Sequence, residues 1–250
     1  MKSSRRAFLK SAPLLSSIAL PGMVLGENPD KKLKIVCVGG HPDDPESGCG
    51  GTLALASGAG HAVTAVYLTR GEAGIEGKSH TEAAAIRSRE AEQACAILKV
   101  KPIFAGQVDG ATLINREWIG KFQQLIESEN PDIVFTQWPI DTHPDHQMAS
   151  LLTTNAWMRT GKKFTLYFYE VCTGSQTLNF RPTDYVDITA VQDIKRKAIY
   201  CHVSQSPEDI YGCGHSAMEH FRGLEAGTKA AEAFVSASGN GLAALLSPGA

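Results

Sequence analysis

Two short segments of the chain carry the same combination of imidazole and carboxylate groups. Residues 39–46 contain the run His-Pro-Asp-Asp, and residues 141–146 contain His-Pro-Asp followed by a second histidine. If the segments meet in space, His41, Asp44 and His146 can bind one ion. Two imidazoles and one carboxylate, with a fourth position left for water, are typical ligands of a catalytic zinc site.

Each segment lies between a predicted strand and a predicted helix. The apolar run at 33–38 predicts a buried parallel strand, and residues 131–137 predict another. The stretches at 47–56 and 147–154 are typical of helices. Ligands bind at the carboxyl ends of strands in open α/β sheets, so both segments are expected at one sheet edge. A single His-Pro-Asp is common in turns, whereas two in this setting favour a metal site.

With these motifs, the chain resembles the PIG-L (LmbE-like) family of zinc-dependent N-deacetylases over most of residues 33–235. The matching residues are His41-Pro42-Asp43-Asp44 with Glu46, Gly50-Gly51-Thr52, Thr69-Arg70-Gly71-Glu72, His143-Pro144-Asp145-His146, Glu170, His202 with Ser204-Gln205, and Ala231-Glu232-Ala233-Phe234. The repeated strand–motif–helix unit and the resemblance predict a Rossmann-like three-layer α/β sandwich with a mostly parallel sheet.

The resemblance also implies roles that spacing alone does not assign, because Asp43 and Asp44 are adjacent and chemically alike. The implied ligands of a single Zn²⁺ are His41, Asp44 and His146, and the implied catalytic residues are Asp43, His143 and Asp145. Asp43 is expected to be the general base. A histidine oriented by a carboxylate, His143 with Asp145, is expected to stabilise the oxyanion or protonate the leaving amine.

The candidate substrate-binding residues are Arg70, Glu72, Asp109 and His202. Arg70 and Glu72 follow a predicted strand at 61–69, so they face the same sheet edge; the alternative is a surface ion pair. Asp109 matches a family aspartate that binds a substrate hydroxyl, or it belongs to a simple Asp-Gly turn. His202 either lines the pocket or caps the carboxyl end of a helix predicted at 190–201.

The implied reaction is hydrolysis of an acetyl amide on an N-acetylglucosamine-type substrate by metal-activated water. Such an enzyme is a hydrolase of carbon–nitrogen bonds other than peptide bonds. One alternative is a metal-dependent amidase or esterase acting on a non-sugar substrate, and another is a non-catalytic carbohydrate-binding protein. The expected partner is a small N-acetylated sugar or glycoconjugate, and the sequence is compatible with a homo-oligomer.

The composition fits one globular domain with a sizeable core: 250 residues, of which 43% are hydrophobic. A net charge of −2 gives no basic surface for nucleic acid, and no run suits a membrane span in the mature chain. The six cysteines form no Cys-x-x-Cys pair. Cys37, Cys49 and Cys95 are expected not to bind metal, and disulfide pairing is left open.

The amino-terminal residues predict export. Arg5 and Arg6 precede a short apolar stretch. Together, the arginines and the apolar stretch resemble a twin-arginine signal at residues 1–26. Residues 27–32 are predicted as a linker, 33–235 as the deacetylase domain and 236–250 as a flexible tail. The expected location is therefore periplasmic or extracellular.

Overall fold

The computed structural model describes residues 31–238 and Leu242, apart from the side chain of Cys213. The predicted signal at 1–26 lies outside the described residues. So do residues 27–30 of the predicted linker, and residues 239–241 and 243–250 of the predicted tail. Among the described helices, none has the length and apolar character needed to cross a membrane.

The described chain forms a seven-stranded mixed sheet. The strands are β1 (Lys34–Gly39), β2 (Ala62–Tyr67), β3 (Lys101–Phe104), β4 (Ile133–Gln137), β5 (Thr165–Tyr169), β6 (Asp184–Asp187) and β7 (Ala231–Ser236). Their order is β3-β2-β1-β4-β5-β7-β6. The first five of these are parallel, and β7 runs antiparallel to both β5 and β6. The predicted α/β fold with a mostly parallel sheet is confirmed.

Helices cover both faces of the sheet. They are α1 (Asp44–Gly58), α2 (His80–Leu98), α3 (Arg116–Glu129), α4 (Pro144–Arg159), α5 (Gln192–Ile199), α6 (Pro207–Ile210) and α7 (Ser216–Ala226), with a π-helical segment at Tyr211–His215. In β1, Ile35 and Cys37 face a core shared with α1, α2 and α5. The alternate residues Val36 and Val38 face a second core shared with α3 and α4. The period of two in a strand thus divides the molecule into three layers.

The strand order places the two motifs side by side. From β1 the sheet continues through β2 and β3 on one side, and through β4 and β5 on the other. A crevice opens at such a switch in strand order, outside the carboxyl ends of the two central strands. The His41 segment follows β1 and the His146 segment follows β4, so both enter this crevice.

Strand β7 is not foreseen from the sequence, in which the residues up to Phe234 read as partly helical and broken by glycine. The strand carries a buried charged residue, Glu232, whose carboxylate accepts hydrogen bonds from the amides of Gly51 and Thr52 at 2.8 Å. Lys195 Nζ lies 2.7 Å from the same carboxylate. A carboxylate with partners on three residues can be buried at low cost. Strand β7 can therefore pack within the sheet, where Glu232 links the carboxyl-terminal region to α1.

Candidate active site

The first motif forms a tight connection between β1 and α1. The Asp44 carboxylate accepts the backbone N–H of His41 at 2.7 Å, which closes the turn. Pro45 occupies the first turn of the helix, where a missing N–H costs nothing. Asp43 precedes the helix with φ of 103°, a left-handed conformation that is unusual for a residue with a side chain. Such strain is typical of functional sites.

Asp44 lies between the two imidazoles that were predicted to bind metal with it. Its Oδ2 is 3.3 Å from His41 Nδ1, and its Oδ1 is 3.2 Å from His146 Nε2. All three side chains are buried. Burial opposes the protonation of His146, yet the charge of Asp44 raises the pKa of this histidine to about 9. The three groups therefore share one small, strongly polar site.

His143 lies close enough to compete with Asp44 for the third ligand position. His41, His143 and His146 each offer a nitrogen, and these atoms lie within 4.8 Å of one another. A second such group consists of His41, Asp109, His143 and Asp145. A metal-binding cluster of histidine and aspartate is thus present at the predicted place, with more potential ligands than the motif alone indicates.

Asp141 orients one of these histidines. Its Oδ1 lies 3.2 Å from His146 Nδ1, and its Oδ2 accepts a hydrogen bond from Thr177 Oγ1 at 3.0 Å. This leaves His146 Nε2 facing Asp44. Carboxylates that hold the outer nitrogen of a ligand histidine fix its tautomer and ring orientation. The sequence assigned no role to Asp141, although it begins the second motif.

Asp43 is held by an arginine from α2. Arg87 Nη2 donates to Asp43 Oδ2 at 3.1 Å and to the carbonyl of Pro42 at 2.6 Å. Burial raises the pKa of the Asp43 carboxyl, and the guanidinium opposes that rise. A Cβ on either Gly71 or Gly74 would come within 2.4 Å of Arg87 Nη1, so these two glycines make room for the arginine.

The sequence contained a signal for Arg87 that the interpretation missed. Arg87 is a charged residue of α2, yet it is buried. It follows Ala83 and precedes Ala91 and Ala94 at helical spacing, so all four share one face. A lone charge on the apolar face of a helix is costly unless it has a partner. Its position therefore pointed to a buried carboxylate or to a site.

Asp145 divides its interactions between two histidines. Its carboxylate lies 3.1 Å from His41 Nε2 and accepts the amide of Gly110 at 2.8 Å. Its backbone N–H donates to His143 Nδ1 at 3.2 Å. Burial lowers the pKa of His143, which favours the neutral ring with its proton on Nε2. His143 is thus oriented by the backbone of Asp145, whereas a carboxylate had been expected.

Among the candidate substrate-binding residues, Asp109 lies inside the site. Its Oδ1 is 3.1 Å from His41 Nε2, and its Oδ2 accepts the amide of Ala73 at 3.0 Å. Glu72 accepts the backbone N–H of Asp109 at 3.1 Å. Glu72 therefore supports the loop that carries Asp109, and its carboxylate contacts that loop's backbone.

Neither Arg70 nor His202 lines the active-site cavity. The Arg70 guanidinium is 5.1 Å from the centre of the Phe104 ring, and only its backbone N–H contacts Glu72. His202 is buried, with Nε2 3.6 Å from Glu46 Oε1. Burial opposes its protonation, but the Glu46 carboxylate raises the pKa of His202 overall.

The active-site cavity has a volume of about 450 Å³. The residues lining it are His41, Asp43, Asp44, Ser47, Ala73, Gly74, Arg87, Asp109, Gly110, His143, His146, Val171, Cys172, Gln176, Gln205, Ile210 and His215. The predicted ligand residues and Asp43 therefore open onto one space, together with Arg87 and Asp109. The last part of its wall, from Val171 onward, comes from carboxyl-terminal segments in which no motif was recognised except at Gln205.

Comparisons with known proteins agree with this architecture. A family model described as GlcNAc-PI de-N-acetylase, PIG-L, matches residues 36–157, which include both motifs. The diacetylchitobiose deacetylase of Thermococcus kodakarensis is 32% identical over 192 residues, covering 71% of this chain and 72% of that protein.

Solved structures give the same result. The N,N'-diacetylchitobiose deacetylase of Pyrococcus horikoshii has a TM-score of 0.73 at 29% identity, covering 85% of this chain and 87% of that one. A conserved protein from Thermus thermophilus has a TM-score of 0.72 at 31% identity, covering 82% of this chain and 94% of that one. These similarities confirm the predicted N-deacetylase, and the chain belongs to the PIG-L family of de-N-acetylases.

Proposed function

We propose that the protein removes the acetyl group from an N-acetylglucosamine-type substrate in a zinc-dependent hydrolysis. The observation that carries this proposal is the cluster of His41, Asp44 and His146 beside the half-buried carboxylate of Asp43, all lining one cavity. The named relatives are deacetylases of diacetylchitobiose, which supports an acetylated amino sugar as the substrate.

The donor set suits zinc. Imidazole nitrogen and carboxylate oxygen are ordinary zinc ligands, and three protein ligands leave a position for water or substrate. His41, Asp44 and His146 would hold one ion per chain, with Asp141 orienting His146. When bound, zinc supplies Lewis acidity and lowers the pKa of water to about 7.

The protein's own groups account for the proton transfers. Asp43 accepts a proton from the water whose oxygen adds to the acetyl carbon. Neutral His143 donates its Nε2–H to the developing oxyanion, because its Nδ1 already accepts from the Asp145 amide. The carbon–nitrogen bond then breaks, and the proton held by Asp43 passes to the leaving nitrogen. The products are acetate and the free amine.

Arg87 and Asp109 are suited to hold the sugar. Both line the cavity, whereas Arg70 does not. Nη2 of Arg87 is held by Asp43 and by the Pro42 carbonyl, so a guanidinium N–H that these bonds do not use can donate to a substrate oxygen in the cavity. Asp109 offers carboxylate oxygens to a hydroxyl. We assign to Arg87 the contact first predicted for Arg70.

The proposal extends to the place where the enzyme acts. Arg5 and Arg6, followed by a short apolar stretch, support export of the protein by a twin-arginine route to the periplasm or the cell exterior. That route transports folded proteins, which fits a domain that takes up its metal before export.

A panel of acetylated compounds tests the reaction. We expect acetate release from N-acetylglucosamine or its glycosides, loss of that activity with a chelator, and recovery on adding zinc. Simple acyl amides and esters serve as the comparison substrates. Release only from these would favour the non-sugar amidase, and sugar binding without any release would favour a carbohydrate-binding protein.

Replacement of Arg87 by methionine is expected to move the acidic limb of the kcat/KM profile to higher pH. Activity requires the Asp43 carboxylate in its ionised form, so the rate falls as the pH drops through its pKa. Removal of a cation 3.1 Å away raises that pKa further. The pH profile of Arg89→Met, an exposed arginine on the same helix, is the control. An unshifted limb in Arg87→Met would contradict the assignment of Asp43 as the base.

A further inference from the structure

The wall of the active-site cavity contains a thiol–imidazole pair that has no role in the proposed reaction. Cys172 and His215 both line this cavity, and Cys172 Sγ lies 3.4 Å from His215 Nε2. The imidazole is 1% exposed, so the cavity is its main contact with solvent. The pair joins the loop after β5 to the π-helical segment, 43 positions further along the chain. Two segments of the cavity wall therefore meet at a sulfur and a nitrogen.

The separation of the two atoms suits a zinc ion bound between them. Zinc bonds of about 2.3 Å to sulfur and about 2.0–2.1 Å to imidazole, at a near-tetrahedral angle, place the donors about 3.5 Å apart. Burial is the main cause that lowers the pKa of His215 to about 4, so its ring is neutral and can bind metal. Nδ1 has no hydrogen-bond partner among the described residues. With the ring proton on Nδ1, the lone pair of Nε2 faces the sulfur.

The charges around the thiol favour a cation. Burial and, after it, nearby carboxylates raise the pKa of Cys172 to about 11, so the isolated thiol keeps its proton. The same carboxylates attract a divalent cation, and the thiol proton passes to solvent when the metal binds. Negative charge outweighs the guanidinium of Arg87 in the site even when the catalytic zinc is bound. The carboxylates that face the site belong to Asp43, Asp44, Asp109, Asp141 and Asp145.

Both donors lie on backbone of uncommon conformation. Cys172 has φ of 46°, in the left-handed region that residues with a side chain seldom adopt. His215 is the last residue of the π-helical segment Tyr211–His215. Left-handed residues other than glycine and π-helical turns both occur often at functional sites. The backbone therefore supports a function for this pair beyond packing.

We propose that Cys172 and His215 form a second zinc site, separate from the catalytic one, whose occupancy inhibits the enzyme. Two protein donors hold an ion more weakly than three, so this site fills after the catalytic site. The ion would share the cavity with Asp43, and its charge would make that carboxylate a weaker base. The inhibition rests on the proposed function, whereas the metal site does not.

Titration of the metal-free protein with Co²⁺ tests the site without turnover. A thiolate ligand gives cobalt an intense charge-transfer band in the near ultraviolet, which the nitrogen and oxygen ligands of the catalytic site do not give. We expect this band to be absent during the first equivalent and to grow with the second. Cys172→Ser and His215→Ala should each remove it. Cys201→Ser should keep it, because Cys201 is a half-buried cysteine that does not line the cavity.

The visible cobalt spectrum at the first equivalent shows whether each variant is folded and binds the catalytic metal. His215→Ala removes the other donor of the pair, so it gives the same test if Cys172→Ser does not fold. A wild-type protein without a thiolate band at several equivalents of Co²⁺ would overturn the inference and leave the pair as a hydrogen bond. A band that persists in Cys172→Ser would overturn it as well.

Acetate release at rising zinc concentrations tests the inhibition. The rate of each protein is compared with its own rate at one equivalent of zinc. We expect Cys172→Ser to need about tenfold more zinc for half-inhibition, because a serine oxygen is a poorer zinc ligand than a thiolate. Equal inhibition of the wild type and Cys172→Ser would refute the inhibitory role. If the thiolate band appears but no acetylated sugar is hydrolysed, the proposed function fails and the second metal site stands.

Discussion

Asp43→Ala is expected to keep its zinc and to lose about 10²–10⁴-fold in single-turnover rate. The residue lines the active-site cavity, and the neighbouring Asp44 is the one whose carboxylate contacts both His41 and His146. Its carboxylate contacts Arg87 at 3.1 Å, which fixes its direction. The measurement is metal stoichiometry beside the rate of acetate release in a single turnover.

Asp43→Asn serves as the control for structural damage. An asparagine oxygen can still accept the Arg87 hydrogen bond, but the amide cannot take a proton from water. We therefore expect the asparagine variant to be as slow as the alanine variant while binding substrate normally. Near-normal turnover in Asp43→Asn would show that the side chain positions Arg87 and is not the base.

The placement of the motifs was predictable because both depend on local patterns. Apolar runs before His41 and before His143 predicted strands β1 and β4, and parallel strands end at a common edge. The helices predicted at 47–56 and 147–154 also lie within α1 and α4. Local sequence patterns were therefore sufficient to predict that the residues of the metal-binding cluster lie close together.

The loop at 69–74 shows where this kind of reasoning stopped. Substrate binding was predicted for its charged residues, Arg70 and Glu72, but its glycines lie closer to the catalytic residues. Gly71 and Gly74 leave space for the Arg87 guanidinium, which reaches Asp43 from α2. That contact joins residues more than forty positions apart. A long-range packing arrangement of this kind has no local pattern from which to predict it.

The carboxyl-terminal region, which supplies part of the wall of the site, was least predictable, for a related reason. Glu232 is buried in β7 because Lys195 and the amides of Gly51 and Thr52 surround it. In the sequence, a glutamate among alanines indicates neither a strand nor burial. The π-helical segment that ends at His215 likewise has no periodic signal of its own. Both features arise only when distant segments pack together.

Asp44→Ala is expected to lose zinc, and its activity should fall in proportion to the metal lost. The carboxylate contacts both His41 and His146, so its removal leaves two imidazoles without the anionic ligand between them. Excess zinc should restore part of the activity, because two ligands remain. The same excess should not rescue Asp43→Ala, which lacks no ligand.

His143→Ala tests whether Asp44 or His143 is the third metal ligand, since His143 also lies within reach of His41 and His146. The neutral His143 ring, with its Nδ1 engaged by the Asp145 amide, is expected to leave metal content unchanged and to slow the chemical step. Zinc retained by Asp44→Ala but lost from His143→Ala would make the ligand set three histidines. Zinc lost from Asp43→Ala but retained by Asp44→Ala would exchange the roles of the two aspartates. The comparison of Asp43→Ala with Asp44→Ala is decisive because the two residues are adjacent. Both variants remove a carboxylate from the same turn of the chain, and they differ only in what that carboxylate contacts.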